Sequence, residues 1–370
     1  MNHKQNMNPP EPLKVHGLDL SYFTGKLEAY LRGKGIAYDL IEMDTRDFKA
    51  CGQATGVAQM PQVEWENGQW LSDTTLILEF LDRVRPETSI TPTDPVAWFT
   101  SRVLEDFSDE WLWRPALAHR WANPQDARLM GQRLAEGMMR DVPLPTSLRR
   151  WVITKRQQLH FLWMDGYRPS TGQRIKAHYT ECLAALEAVL QHQPYVMGAR
   201  PTLADYGFFG SMFRHFFSDP TPAGIMRREA PNVMEWVARL WNTRLVRLNA
   251  EPLPSGVLPV LNPLMHIVVS EFIPYAQANE SAVIANRPKF TFHSGGVDIT
   301  VPIQRYRAWR FQRLRTQYQA LPANAQAALQ AWQPALCAAL TAPIAHAIEA
   351  QIKQLPIAPR AHRTMVARTW

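Results

Sequence analysis

"VAQMPQVEWENGQWLSDTTLILEFLDRV", residues 57–84, carries a run of structural signals whose order decides the fold. "PQVEW" and "QWL" are short strand candidates, and Asn67-Gly68 between them is the strongest short-range hairpin signal. "DTTLILEFLDRV" then sets Ile77, Phe80, Leu81 and Val84 three or four apart, as one face of a helix. Working backwards, "TRDFKACGQ" is compatible with a short helix capped by Thr45, and "AYDLIEMD" (37–44) reads as a strand closed by Asp44. In "SYFTGKLEAYLRGKG" (21–35), Leu27, Tyr30 and Leu31 recur at helical spacing and Gly33 and Gly35 supply the stop. The apolar "PLKVHGL" ahead of it reads as a buried strand. The order is βαβαββα over residues 12–85. A strand that enters a helix through Ser21 and Thr24 either caps that helix or binds an anion at its N-terminus, and these residues alone leave both readings open.

Downstream, "PETSITPTDPV" (86–96) holds three prolines and no periodicity, as a linker does. Strand signals then vanish. "AWFTSRVLEDFSDEWLWRPALAHRW", "SLRRWVITKRQQLHFLWM", "IKAHYTECLAALEAVLQ" and "APNVMEWVARLWNTRL" all read as helices, giving an all-helical domain over 97–250. Proline returns in "EPLPSGVLPVLNP", where a basic extension over 251–370 begins. It holds a hairpin candidate, "KFTFHSGGVDITVPI", around Gly295-Gly296, and a basic helix, "RYRAWRFQRLRTQYQAL" (305–321). In that helix Tyr306, Trp309, Arg310, Arg313 and Gln317 fall three or four apart. Its small apolar residues after 320 predict a segment that packs onto the helical domain, across the cleft or a dimer interface, rather than folding alone.

Gln59-Met60-Pro61 before a strand and hairpin, in this order of elements, resembles the thioredoxin-like N-terminal domain of the glutathione transferase superfamily. In that family the proline is cis and the residue before it pairs its backbone with the cysteinyl part of glutathione. "LSDTTLILEFL" is similar to the family's acid-then-hydroxyl start of the third helix, which puts Asp73 on the γ-glutamyl ammonium group and Thr74 on its carboxylate. "RPTLADYGFF" (200–209) is similar to the family's buried capping box, Thr202 with Asp205, and carries no chemistry. The resemblance covers residues 12–250. Laid on the family pattern, Lys26 takes the usual basic position and Ser21 the catalytic one, where a hydroxyl donates to the glutathione sulfur and stabilises its thiolate.

The pattern departs from the family at Tyr22, which stands where proline commonly follows the catalytic residue, so Tyr22 and Thr24 are alternatives to Ser21. The absence of cysteine at 21 argues against mixed-disulfide chemistry, and Cys51, on the second helix, is a poor substitute. Gln59, Lys49 and Arg46 are candidates for the glycine carboxylate by position. "DFSDEWLWRPALAHRW" (106–121), on the first long helix of the helical domain, offers Glu110, Trp111 and His119 as walls for a small apolar electrophile. The implied protein is a cytoplasmic homodimer that uses glutathione as co-substrate; the competing reading is a non-catalytic scaffold of the same fold.

Composition bounds these readings. A 370-residue chain with 46% hydrophobic and 20% charged residues is ordinary for a globular protein of more than one domain. No run approaches the roughly 20 apolar residues of a membrane helix, and the polar "MNHKQNMNPPEP" start predicts no export. Cys51, Cys182 and Cys337 are scattered, without disulfide framework or zinc spacing, so no metal is expected. Of the net +7, +6 falls from residue 251 onward. A solvated helix face is the commoner origin of such charge, and no nucleic-acid motif accompanies it.

Overall fold

The computed structural model describes residues 11–344 and 346–358. The start read as lacking an export signal lies, through residue 10, outside the described residues, as does the end of the basic extension from 359. Among the described residues no helix is long and apolar enough to cross a membrane.

The N-terminal region follows the order β1 (Leu13–Gly17), α1 (Tyr22–Lys34), β2 (Tyr38–Glu42), α2 (Thr45–Thr55), β3 (Gln62–Glu64), β4 (Trp70–Ser72) and α3 (Thr74–Val84). The sheet order is β2-β1-β3-β4, with β1 and β2 parallel and the other two pairs antiparallel. This is a thioredoxin-like sheet, and the Met60–Pro61 bond directly before its inner strand β3 is cis. Leu13, Val15, Val63 and Leu71 alternate along the strands and are buried against Leu27 and Leu31 of α1 and Ile77 and Leu81 of α3. Asn67 and Gly68 take φ of 55° and 72° at the hairpin tip, the left-handed region that these two residue types tolerate. The cap of α2 differs from the sequence expectation. Asp44 accepts from the Asp47 N–H at 2.9 Å, while the Thr45 hydroxyl donates to Asp141 on the helical domain.

The helical region runs through α4 (Pro95–Trp111), α5 (Trp113–Ala122), α6 (Pro124–Glu136), α7 (Thr146–Gln157), α8 (Gly172–Leu190), α9 (Leu203–Ser211), α10 (Pro220–Glu229) and α11 (Pro231–Asn242). A wider turn over Gln158–Trp163 continues α7. The stretch expected as one helix over 106–121 is two, broken at Leu112. The cause is Pro115, which has no N–H to offer the Trp111 carbonyl one turn back. The box at the start of α9 is closed as expected: Thr202 N–H donates to Asp205 Oδ2 at 2.9 Å, and Trp236 Nε1 to Oδ1 at 3.1 Å.

From 251 the chain adds α12 (Asn262–Ile267), α13 (Ile273–Ile284), β5 (Lys289–Ser294), β6 (Val297–Pro302), α14 (Arg305–Gln319), α15 (Ala323–Trp332) and α16 (Pro334–Thr341). β5 and β6 turn on Gly295-Gly296, both at positive φ. α14 lies on α4 and reaches α3, where Arg313 Nη2 pairs with Glu79 at 2.6 Å. Further on, Ile357 forms an antiparallel bridge with Trp70 on the edge strand β4, through bonds of 3.0 and 2.7 Å.

Candidate active site

Gln59, Met60, Pro61, Asp73 and Thr74 come together. They line a cleft of about 40 Å³ between the cis-proline loop and the start of α3. Asp73 has φ 75° and ψ 106°, a conformation that a residue with a Cβ adopts at a cost of ~1–3 kcal/mol. Its side chain makes no capping bond to α3 and faces the cleft instead, where Tyr306 Oη donates to Oδ2 at 2.7 Å. Gln59 is turned inward, its Nε2 on Ser72 Oγ at 2.6 Å. No described residue hydrogen-bonds the Met60 backbone N–H or carbonyl. Asp109 and Glu110 of α4 close the cleft opposite, and Arg307 Nε holds Glu110 at 3.0 Å.

A second cavity of about 310 Å³ adjoins the first, and Phe23, Gln59 and Met60 line both. Ser21 lies on its wall as the N-cap of α1. Its Oγ accepts from the Thr24 N–H at 3.3 Å, and a hydroxyl that accepts with one lone pair keeps its own proton to donate. Capping and donation therefore coexist in this one group. Of the two alternatives, Tyr22 also lines this cavity but turns its hydroxyl away, and Thr24 lines neither cavity. Tyr22 Oη donates to the Ser108 carbonyl inside the α1–α4 interface, and burial, reinforced by Asp109, pushes its pKa well above 10. Thr24 is fully buried and its Oγ1 accepts from the Leu18 N–H.

The larger cavity is aromatic. Trp113, Leu117 and Trp121 stand four apart on one stripe of α5, Trp113 stacks on Phe23 with centroids 6.1 Å apart, and Phe161 meets Trp113 edge-on. Arg120 reaches the wall already engaged by Asp219 and by the Leu20 and Arg214 carbonyls. Of the expected pocket residues, Glu110 lines the smaller cleft, and Trp111 and His119 line neither of these two cavities. Trp111 is fully buried against His178, Tyr275 and Phe292. His119 lies two residues from Leu117, on the far side of α5, packed on Tyr179 and Phe216; burial pushes its pKa down to about 4. Arg46 and Lys49 are exposed on α2 and line neither cavity. Sequence reasoning missed Tyr306 as a cleft residue, and Trp113, Trp121 and Phe161 as cavity walls.

Beneath the cleft runs a buried ionic cluster. Lys26 Nζ donates to Glu105 Oε1 and Asp109 Oδ2, both at 2.5 Å, and Arg310 of α14 pairs with Glu105 and Asp106. Burial opposes the charge on Glu105, but Arg310 and Lys26 prevail and hold its pKa well below the usual range. At Asp109 burial wins, aided by the Glu105 charge, and raises the pKa well above 3.8 despite Lys26. Lys26 thus ties α1 to α4 beneath the site.

The family model for the glutathione S-transferase C-terminal domain matches residues 175–243. Glutathione S-transferase U7 of Arabidopsis thaliana is 31% identical over 108 residues, which is 29% of this chain and 48% of that protein. The chain spans about half the length of the two Arabidopsis proteins it matches. Protein LigF of Sphingobium sp. (strain NBRC 103272 / SYK-6) is 23% identical over 57% of this chain and 82% of that protein. Among solved structures, β-etherase LigF of Sphingobium sp. strain SYK-6 aligns with TM-score 0.45 at 21% identity, over 65% of this chain and 98% of its own. Rice GST1 in complex with glutathione aligns with TM-score 0.40 at 18% identity, over 66% of this chain and 93% of its own.

Proposed function

The chain belongs to the glutathione S-transferase superfamily, and from that premise we propose that it is a glutathione-dependent transferase acting on a small apolar, aryl-bearing electrophile. One observation carries this reading. The Asp73–Thr74 cleft and the aromatic cavity that holds Ser21 meet at Phe23, Gln59 and Met60, so a tripeptide anchored in the first would present its thiol to the second. In this reading Asp73 receives the γ-glutamyl ammonium group, the N-terminus of α3 at Thr74 its carboxylate, and the Met60 backbone the cysteinyl unit. Ser21 donates to the sulfur. The thiol proton passes to solvent, and the thiolate attacks the electrophilic carbon. A carbon–sulfur bond forms as the bond to the leaving group breaks, and the leaving group departs with the electron pair. The aromatic walls suit an apolar partner. Residues 12–85 bind glutathione, 97–250 build the electrophile cavity, and the extension from 251 roofs the cleft.

The scaffold reading has its own support, because the cleft is small and Tyr306 already occupies Asp73. Calorimetry of the full chain with glutathione, followed by turnover of a chromogenic aryl halide, separates the two. Binding with turnover supports the transferase. The absence of binding at millimolar glutathione makes the protein a scaffold.

A further inference from the structure

On the other side of the sheet the packing is polar where a helix-covered strand is ordinarily apolar. Leu13 and Val15 face α1 and α3, so by strand alternation Lys14 and His16 face α2. His16 is buried beneath Trp70, with ring centroids 5.4 Å apart. Its Nδ1 lies 2.8 Å from Asp47 Oδ2, and its Nε2 lies 3.0 Å from Glu64 Oε1. Asp47 and Cys51 stand one turn apart on α2 and therefore share a face. The Cys51 Sγ is 3.9 Å from Asp47 Oδ1. A ring nitrogen, a carboxylate oxygen and a thiol sulfur, one from each residue, lie within 4.8 Å of one another.

We propose that His16, Asp47 and Cys51 bind a single divalent ion of the zinc class. Mixed nitrogen, oxygen and sulfur donors select zinc or cobalt over magnesium or calcium, which require oxygen alone. Glu64 supplies what such a site needs behind its histidine. With the metal on Nδ1, the Nε2 proton would go to Glu64, 3.0 Å away, which would hold that tautomer. Three protein ligands leave a fourth position for water. A thiol binds a metal as its thiolate: the S–H breaks, the sulfur keeps the electron pair as a metal bond, and H⁺ leaves to solvent, so affinity rises with pH. None of the three ligands lines the cleft or the aromatic cavity, so the site is separate from the proposed glutathione site. It would clamp α2, which carries Phe48 to the cavity wall, onto β1.

The test is titration of the full, chelator-treated protein with cobalt(II) alone, followed by absorbance. One equivalent should produce visible bands of a four-coordinate ion and a near-ultraviolet thiolate-to-cobalt band, displaced by zinc. Cys51→Ser should abolish the near-ultraviolet band, and His16→Gln should weaken binding at least tenfold. Cys182→Ser and Cys337→Ser should change nothing. Glu64→Gln keeps all three ligands, so it should keep the band and weaken binding severalfold, a readout that survives if the other variants misfold. No stoichiometric band in the parent protein, or a band that persists in Cys51→Ser, overturns the proposal.

Discussion

The starts of α3 and α9 each pair a threonine with an aspartate, and their geometries are opposite. At α9, Thr202 takes an extended φ of −119° and Asp205, fully buried, accepts from Thr202 N–H, Val196 N–H at 2.8 Å and the Trp236 indole. At α3, Asp73 sits at φ 75°, leaves its own helix uncapped and turns its carboxylate into a cleft. The first start is closed upon itself. The second keeps its polar groups for something outside the helix, at the expense of backbone conformation. The difference separates a structural use of these residue types from the binding use proposed for Asp73 and Thr74, and neither local composition nor helix propensity reveals it.

Removing Asp205 should have the largest effect. Asp205→Ala leaves buried donors unsatisfied and should lower unfolding free energy by about 3–5 kcal/mol in a denaturant titration. A loss confined to glutathione affinity would break the comparison. His119 tests the same division through pH. Its folded pKa of about 4 lies below the ~6.5 of an unfolded histidine, so between those values the unfolded chain binds more protons and stability rises with pH. The window spans about 3 kcal/mol. His119→Gln should flatten stability across it and leave the pH profile of turnover unmoved; a shifted turnover profile would return His119 to the site.

At α3 the expectations reverse. Asp73→Asn should weaken glutathione binding about 10–100-fold, equivalent to ~1.5–3 kcal/mol, with little change in melting temperature. Asp73→Gly should also lose affinity but gain ~1 kcal/mol of stability by relieving the positive φ. Unchanged affinity in both removes Asp73 from the site. Ser21→Ala should raise the pKa of bound glutathione by about one unit, or ~1.4 kcal/mol, read by ultraviolet titration of the thiolate. An unmoved midpoint reduces Ser21 to a cap. Smallest is Tyr306→Phe, which frees the Asp73 carboxylate and should tighten glutathione binding severalfold, ~1 kcal/mol or less. Weaker binding would mean that Tyr306 contacts the ligand itself.

What the sequence made legible was local. The hairpin at Asn67-Gly68, the Thr202–Asp205 box and the strand–helix alternation around Pro61 are each encoded within a few neighbouring residues, and each is present in the structure. Trp111 and His119 were misplaced because one continuous helix was expected, whereas Pro115 breaks it and the stripe Trp113, Leu117, Trp121 turns toward the cavity instead. Cysteine spacing gave no metal signal because His16 lies on a strand and Asp47 and Cys51 on a helix after the next strand. The Asp73 backbone angle and the Tyr306 contact depend on distant chain and leave no local trace.

The Tyr306–Asp73 bond joins residues 233 positions apart, and the Arg310–Glu105 bond residues 205 apart. A ribosome adding ~5–20 residues per second needs roughly 10–50 s to make the later partner after the earlier one. Throughout that interval the nascent chain carries Glu105, Asp106 and Asp109 with Lys26 but without the guanidinium of Arg310, and its cleft has no roof. The polarity of translation thus imposes an order on assembly. The cleft is made first and open, and only a helix synthesised about 200 residues later closes it.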